Sequence, residues 1–80
     1  MRLSVLLFAS YADAFGGPAA TVELPERATV EELVAALRAT RGANALPERP
    51  MVAVNQAYAT YSQPLAANDE VAIIPPVAGG

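Results

Sequence analysis

The residues best suited to chemistry in this sequence are the two glycines at its end, Gly79 and Gly80. They follow Pro75, Pro76 and Val77 in the run Pro-Pro-Val-Ala-Gly-Gly. Because glycine has no side chain, a narrow channel could admit this backbone, and an activated terminal carbonyl could be attacked from either side. The predicted reagent is therefore the carboxylate of Gly80 itself.

The segment 75–80 is predicted to project from the domain as an extended tail. Prolines lack the amide donor that a sheet or a helix interior requires, so regular pairing stops at residue 75. At roughly 3.1 to 3.4 Å per residue, six residues reach about 20 Å, which is enough to enter the active site of a neighbouring protein. We therefore expect a folded domain over residues 1–74 and a tail over residues 75–80.

Side-chain chemistry is sparse in the rest of the chain. The sequence contains no cysteine and no histidine, which excludes disulfides, thiolate or imidazole metal sites, and the Ser-His and Cys-His nucleophile pairs. We expect no catalytic side chains, no metal and no bound cofactor, so any catalysis would use the side chains of partner proteins. Whether the chain itself counts as an enzyme is left open.

Charge and hydropathy limit the kinds of partner. The net charge is −3 and the five cations are arginines scattered along the chain, without the basic stripe that grips a phosphate backbone. No apolar run approaches the ~18 to 20 residues of a membrane span, and the N-terminus has no signal-peptide layout. We expect neither nucleic acid nor a membrane as partner, and a cytoplasmic location.

Several segments have the patterns of strands. They are predicted over Leu3 to Ala9, Ala20 to Leu24, Met51 to Val54, Ala57 to Tyr61 and Glu70 to Ile74, with a helical turn over Ser10 to Phe15 and a turn at Asn55 and Gln56. The β-branched density of the last strand favours a central place in the sheet. Met51 is expected to fill the core.

One long helix is predicted after Thr29. The run Thr29-Val-Glu-Glu32 is a capping box, in which the Thr29 hydroxyl and the Glu32 carboxylate each satisfy a free amide. Apolar residues then recur with the spacing of one buried helix face, at Val30, Leu33, Val34 and Leu37. Gly42 is expected to end the helix, and Glu31 and Glu32 are expected to serve the helix terminus and not catalysis.

The order of these elements predicts an α+β fold. The first and last strands form a parallel centre, one main helix packs across a mixed sheet, and the C-terminal tail projects. This is the β-grasp arrangement, also called ubiquitin-like.

The sequence resembles the small, sulfur-carrying subunit of molybdopterin synthase over essentially its whole length. The resemblance is carried by the first strand with its short helical turn, by Val54-Asn-Gln56, and by the most specific part, Asp69-Glu-Val-Ala72 followed by Pro75-Pro-Val-x-Gly-Gly80.

The resemblance implies that several partner proteins act on the chain one after another. A ubiquitin-activating-type adenylyltransferase would use ATP to adenylylate Gly80, and a sulfur donor protein would convert the adenylate to a thiocarboxylate. The tail would then enter the large synthase subunit, in a heterotetramer of two small and two large subunits, and give sulfur to a pterin precursor of the molybdenum cofactor. A carrier without cysteine can hold sulfur only on its terminus.

The resemblance also implies a docking patch of Phe8, Tyr58 and Ile74, with Pro75, Pro76 and Val77 leading to the glycines. The residue types alone leave Phe8 and Ile74 equally suited to the core and to an interface, whereas Tyr58 favours the interface. Two other functions stay open: a sulfur carrier of the thiamine pathway, and a ubiquitin-like modifier attached to proteins through Gly80.

Overall fold

The computed structural model describes residues 1–40 and 43–76. Their elements are β1 (Arg2–Leu6), α1 (Ala9–Phe15), β2 (Ala19–Glu23), α2 (Val30–Arg38), a 3₁₀ turn (Ala43–Ala45), β3 (Met51–Val54), β4 (Ala57–Tyr58) and β5 (Val71–Ile74). No helix in this described part of the chain is long and apolar enough to span a bilayer.

The five strands form one mixed sheet in the order β2-β1-β5-β3-β4. Strands β1 and β5 are parallel, with Val5 opposite Val71 and Leu6 opposite Ala72, and the other neighbouring pairs are antiparallel. The predicted β-grasp fold, with its parallel centre and its central last strand, is confirmed. The structure adds that the short helical turn is a separate second helix, α1.

Helix α2 begins with the predicted capping box. The Glu32 amide donates to the Thr29 hydroxyl at 3.4 Å, and the Thr29 amide donates to the Glu32 carboxylate at 3.1 Å. The next two amides, of Val30 and Glu31, donate to the carbonyls of Gln63 and Tyr61, each at 3.0 Å. The four amides at the start of α2, which have no acceptor within the helix, are therefore all hydrogen-bonded.

The core lies between α2 and one face of the sheet. The predicted apolar face of α2 is buried, and it packs with alternate residues of the central strands, among them Leu3, Val5, Val71 and Ile73. Because strand side chains alternate between faces, the intervening residues point away from the helix. The sheet therefore has a second, outer face that α2 does not cover.

Two predicted strands end three residues earlier than expected. Strand β1 ends at Leu6 because Phe8 already caps α1, although the Leu7 amide still donates to the Pro18 carbonyl at 2.8 Å. Strand β4 ends at Tyr58, because the chain then turns to bring its carbonyls to the start of α2. Helix α2 ends at Arg38 with Ala39 as its C-cap, so it stops before the predicted end at Gly42. Gly42 itself lies outside the described residues.

Candidate functional site

The outer face of the sheet carries a row of side-by-side apolar residues. Leu6 lies opposite Ala72, Ala72 lies opposite Ala53, and Ala53 lies opposite Tyr58, so the row crosses four strands. Three of the four are aliphatic, and two of these are alanines, whose side chains are short. The row therefore forms the floor of a depression. This apolar depression is open to solvent and has a volume of about 380 Å³.

The three residues predicted as a docking patch meet at this depression. Phe8, Tyr58 and Ile74 all line it. Tyr58 is 71% exposed and Phe8 45% exposed, while Ile74 is partly buried. None of the three belongs to the buried core, and their predicted role in docking stays a prediction.

Met51 is also on this face, and its expected role as a core filler is wrong. Its side chain is 48% exposed, and it lies opposite Ile74 in the pairing of β3 with β5. Strand β3 is apolar at every position, so its sequence shows no alternation that separates the two faces. The register with β5 decides which residues point outwards.

The position of Phe8 is set by a tight passage from β1 into α1. Phe8 is extended, with φ −130°, and Ala9 follows with φ +51°, a left-handed conformation that an alanine rarely adopts. The helix then ends at Gly16, where φ is +84° and the Gly17 amide donates to the Ala12 carbonyl at 2.9 Å. Together these turns hold Phe8 at the rim of the depression.

Gln56 and Glu70 form a polar end of the depression. Glu70 is held by Asn55, whose side-chain amide donates to the Asp69 carboxylate at 3.0 Å and accepts from the Glu70 amide at 2.9 Å. Asp69 also accepts from the Ala66 amide at 2.8 Å. Asn55 and Asp69 thus connect the β3-β4 turn to the start of β5, as expected for a turn-forming aspartate.

At its other end, β5 leads directly into Pro75 and Pro76. Pro76 is exposed and lines a second depression, which also includes Ile74, Met51 and Arg49. Ile74 is shared by both depressions. The base of the predicted tail is therefore continuous with the apolar outer face.

Arg49 is held in place beside this base. Its guanidinium carbon lies 4.1 Å from the centre of the Tyr61 ring, and the Tyr61 hydroxyl donates to the Pro50 carbonyl at 2.6 Å. Burial raises the pKa of the Tyr61 phenol, and the positive charges of Arg49 and Arg38 oppose that shift. Nothing in the sequence pattern pointed to Arg49, because the contact joins residues from two different loops.

Val77, Gly79 and Gly80 lie outside the described residues, so their predicted roles stay predictions. Within the described ranges, no three histidine, cysteine, aspartate or glutamate side chains are grouped as metal ligands. What the structure presents is an exposed apolar surface that continues as far as Pro76.

A model of the ThiS family matches residues 5–80, which is almost the whole chain and includes both glycines. The chain belongs to the ThiS family. The comparison with curated proteins finds no relative.

Solved structures of similar fold include a small archaeal modifier protein and proteins assigned as subunit 1 of molybdopterin converting factor. SAMP1 of Haloferax volcanii, described in a second structure as small archaeal modifier protein 1, is 29% identical over 100% of both chains, with a TM-score of 0.84. A protein of Pyrococcus furiosus assigned as subunit 1 of molybdopterin converting factor is 25% identical, with a TM-score of 0.80 over 96% of this chain and 99% of that one.

A third structure shows subunits 1 and 2 of the molybdopterin-converting factor of Helicobacter pylori as a complex. It is 22% identical over 100% of both chains, with a TM-score of 0.71, and this likeness bears on the fold alone. The ThiS-family chain therefore has the ubiquitin-like fold that sulfur carriers and protein modifiers share.

Proposed function

We propose that this chain is the sulfur carrier subunit of a molybdopterin synthase. The observation that carries the proposal is the family match, which extends through the two terminal glycines. The likeness to a molybdopterin converting factor subunit 1 and the Pro-Pro-Val approach to the glycines support molybdopterin over thiamine synthesis.

In this proposal residues 1–74 are the docking domain and residues 75–80 are the reacting tail. The Gly80 carboxylate attacks the α-phosphate of ATP on a separate adenylyltransferase, and pyrophosphate leaves. A sulfur nucleophile supplied by a donor protein then displaces AMP and leaves a thiocarboxylate. A carboxylate needs this activation because it is a poor electrophile, whereas the thiocarboxylate sulfur is a good nucleophile. Because the relay depends on ATP, we place it in the cytoplasm.

The outer face supplies the docking surface for the large synthase subunit. Phe8, Tyr58 and Met51 are the large apolar side chains that stand exposed on the described part of the chain, and all three lie on this face. Exposed apolar side chains gathered in one place mark a binding surface. A complex of subunits 1 and 2 is known for the Helicobacter pylori protein, and we propose the same pairing here.

The first experiment measures the intact mass of the chain after incubation with an adenylyltransferase of this family, ATP and a sulfur donor. We expect a gain equal to the exchange of one oxygen for sulfur. A chain lacking Gly80 is the matched control, and it should show no gain because its tail is one residue shorter. An unchanged mass for the wild type with an active enzyme would contradict the proposal.

The pathway is then tested with the thiocarboxylate form. We expect it to bind a large molybdopterin synthase subunit and convert the cyclic pterin precursor to the dithiolene product. Transfer of its sulfur only to a thiazole synthase would instead assign the chain to thiamine synthesis.

A protein modifier is the second candidate, and the similarity to SAMP1 favours it. If the chain is a modifier, a denaturing gel should show conjugates of higher mass that disappear when Gly80 is deleted. Finding such conjugates without any thiocarboxylate transfer to a synthase would replace the carrier by the modifier.

A further inference from the structure

The outer face has opposite charges at its two ends. Glu70, Ala72 and Ile74 occupy alternate positions on or beside β5, so they lie on the same face. Glu70 lies at the end away from the tail, and Arg49 lies at the tail end, where it lines a depression together with Ile74 and Pro76.

The Arg49 guanidinium makes no hydrogen bond or ion pair with any of residues 1–40 and 43–76. It stacks on the Tyr61 ring, with its central carbon 4.1 Å from the ring centre. By contrast, Arg2 pairs with Glu23 at 2.9 Å, and Arg38 donates to the Pro47 carbonyl at 2.7 Å. Stacking restrains the guanidinium plane and leaves its edge free for a bidentate contact with a carboxylate.

Glu70 presents a negative charge on a backbone that is held in place. Its backbone is bonded to Asn55 in both directions, at 2.7 and 2.9 Å. Its carboxylate has no ion pair or hydrogen bond to any residue that the structure describes. The backbone of Glu70 is therefore held in place, while its charge is available to a partner.

Arg49 and Pro76 line the same depression, so the distance from Glu70 to Pro76 approximates the distance between the two charges. From Glu70 to Pro76 the chain advances six positions, which is about 20 Å in extended backbone. That distance exceeds the screening length of about 8 Å at physiological ionic strength, so the two charges act separately. The surface between them is apolar. Apolar contact alone has little directional preference, whereas two separated charges of opposite sign discriminate between orientations.

We propose that this charge polarity fixes the direction in which the carrier docks on the large synthase subunit. Arg49 pairs with a carboxylate beside the opening that takes the tail, and Glu70 pairs with a cation at the far side of the contact. The inference rests on the proposed function and adds the chemistry of the partner surface.

The test exchanges the two charges in one variant, Arg49→Glu with Glu70→Arg, which leaves the net charge unchanged. Binding to the large subunit is measured at low and at high ionic strength. We expect the exchange to weaken binding by roughly tenfold or more at low ionic strength, mainly through slower association, and by less at high ionic strength. The variants Arg49→Gln and Glu70→Gln should each weaken binding about two- to fivefold.

The matched control exchanges another pair of opposite charges, Glu26→Arg with Arg27→Glu. These two exposed residues lie in the loop between β2 and α2, outside both the apolar depression and the depression at the tail base. We expect this variant to bind like the wild type. Circular dichroism of each variant establishes that it is folded, and the two glutamine variants decide the question if the exchanged variant does not fold.

The possible outcomes distinguish the proposed charge polarity from the proposed function on which it rests. Equal binding of the wild type, the exchanged variant and the glutamine variants overturns the polarity and leaves the proposed function intact. A loss confined to adenylylation, with binding to the large subunit unchanged, also overturns it, because the partner would then be the activating enzyme. A wild type that forms a thiocarboxylate but does not bind the large subunit overturns both.

Discussion

At the scale of single residues, backbone strain lies close to the candidate binding surface. Within residues 1–40 and 43–76, four residues other than glycine have positive φ values, and three of them adjoin the outer face: Ala9 at +51°, Asn55 at +52° and Gln56 at +70°. Asparagine tolerates this region, but alanine and glutamine do so at a cost of about 1 to 3 kcal/mol. Ala9 follows Phe8, and Gln56 lines the apolar depression. These strained positions therefore lie beside the apolar depression and its proposed docking residues.

Replacement of Gln56 by glycine should therefore stabilise the domain. We expect the free energy of unfolding to rise by about 0.5 to 1 kcal/mol, because glycine adopts a positive φ without strain and suits the second position of this turn. Urea denaturation measures the change. Gln56→Ala is the control, since it removes the same side chain but keeps the Cβ, and an equal gain in that variant would show that the backbone is not the cause.

Tyr61 makes stability depend on pH in the alkaline range. Its phenol donates to the Pro50 carbonyl at 2.6 Å, and burial raises its pKa above the ordinary value of 10.0. The folded state therefore holds this proton more tightly than the unfolded state does. The contribution is fully present below pH 10.0 and is lost as the pH rises through the folded-state pKa.

For Tyr61→Phe we expect a loss of about 1 kcal/mol near neutral pH, because the Pro50 carbonyl loses its donor. Above pH 10.0 the difference from the wild type should shrink, since the wild type alone loses the contribution of this proton. Urea titrations on either side of that pH measure both effects. A difference that stays constant with pH would contradict the assignment to the phenol.

At the scale of elements, α2 is stabilised by its own first turn and by a distant loop. The capping box is local, between Thr29 and Glu32, whereas the carbonyls of Tyr61 and Gln63 come from the chain after β4. The helix and that loop therefore stabilise each other. This explains why β4 is short, because its continuation serves the helix instead of the sheet.

Loss of the cap hydroxyl should destabilise the protein without changing its fold. We expect Thr29→Val, which keeps the branched shape, to cost about 1 kcal/mol, and Thr29→Ser, which keeps the hydroxyl, to cost only a few tenths. Thermal and urea unfolding followed by circular dichroism measure both. Similar losses in the two variants would mean that packing of the threonine methyl, and not capping, stabilises this turn.

At the scale of the whole molecule, the two faces of the sheet have different tasks. The inner face and α2 form the core that holds the fold, and the outer face with the tail base forms the proposed contact surface. Stability and partner binding should therefore respond to different substitutions, although the residues concerned alternate along the same strands.

A pair of truncations tests this division. Leu33→Ala removes a fully buried side chain of α2 and should cost about 2 to 5 kcal/mol, a large part of the stability of a small domain. Met51→Ala removes an exposed one and should change stability by less than about 0.5 kcal/mol while weakening binding to the large subunit. Urea denaturation and binding titrations separate the two. Strong destabilisation by Met51→Ala would place that residue in the core after all.

The sequence by itself determined the fold class and most elements, and it predicts a reacting terminus. These features have local causes: the capping box at Thr29, the helical spacing of the buried face of α2, the β-branched last strand, and two prolines that end pairing at residue 75. The patch of Phe8, Tyr58 and Ile74 came from family resemblance, and the structure places its members together.

Only the tertiary structure decided which apolar residues face outwards. Strand β3 is apolar throughout, so the exposure of Met51 depends on its register with β5, which is a contact between residues 23 positions apart in the chain. The stacking of Arg49 on Tyr61 and the hydrogen bond between Asn55 and Glu70 likewise join distant segments. Local patterns determine which elements form, whereas the surface that a partner meets depends on how those elements are paired.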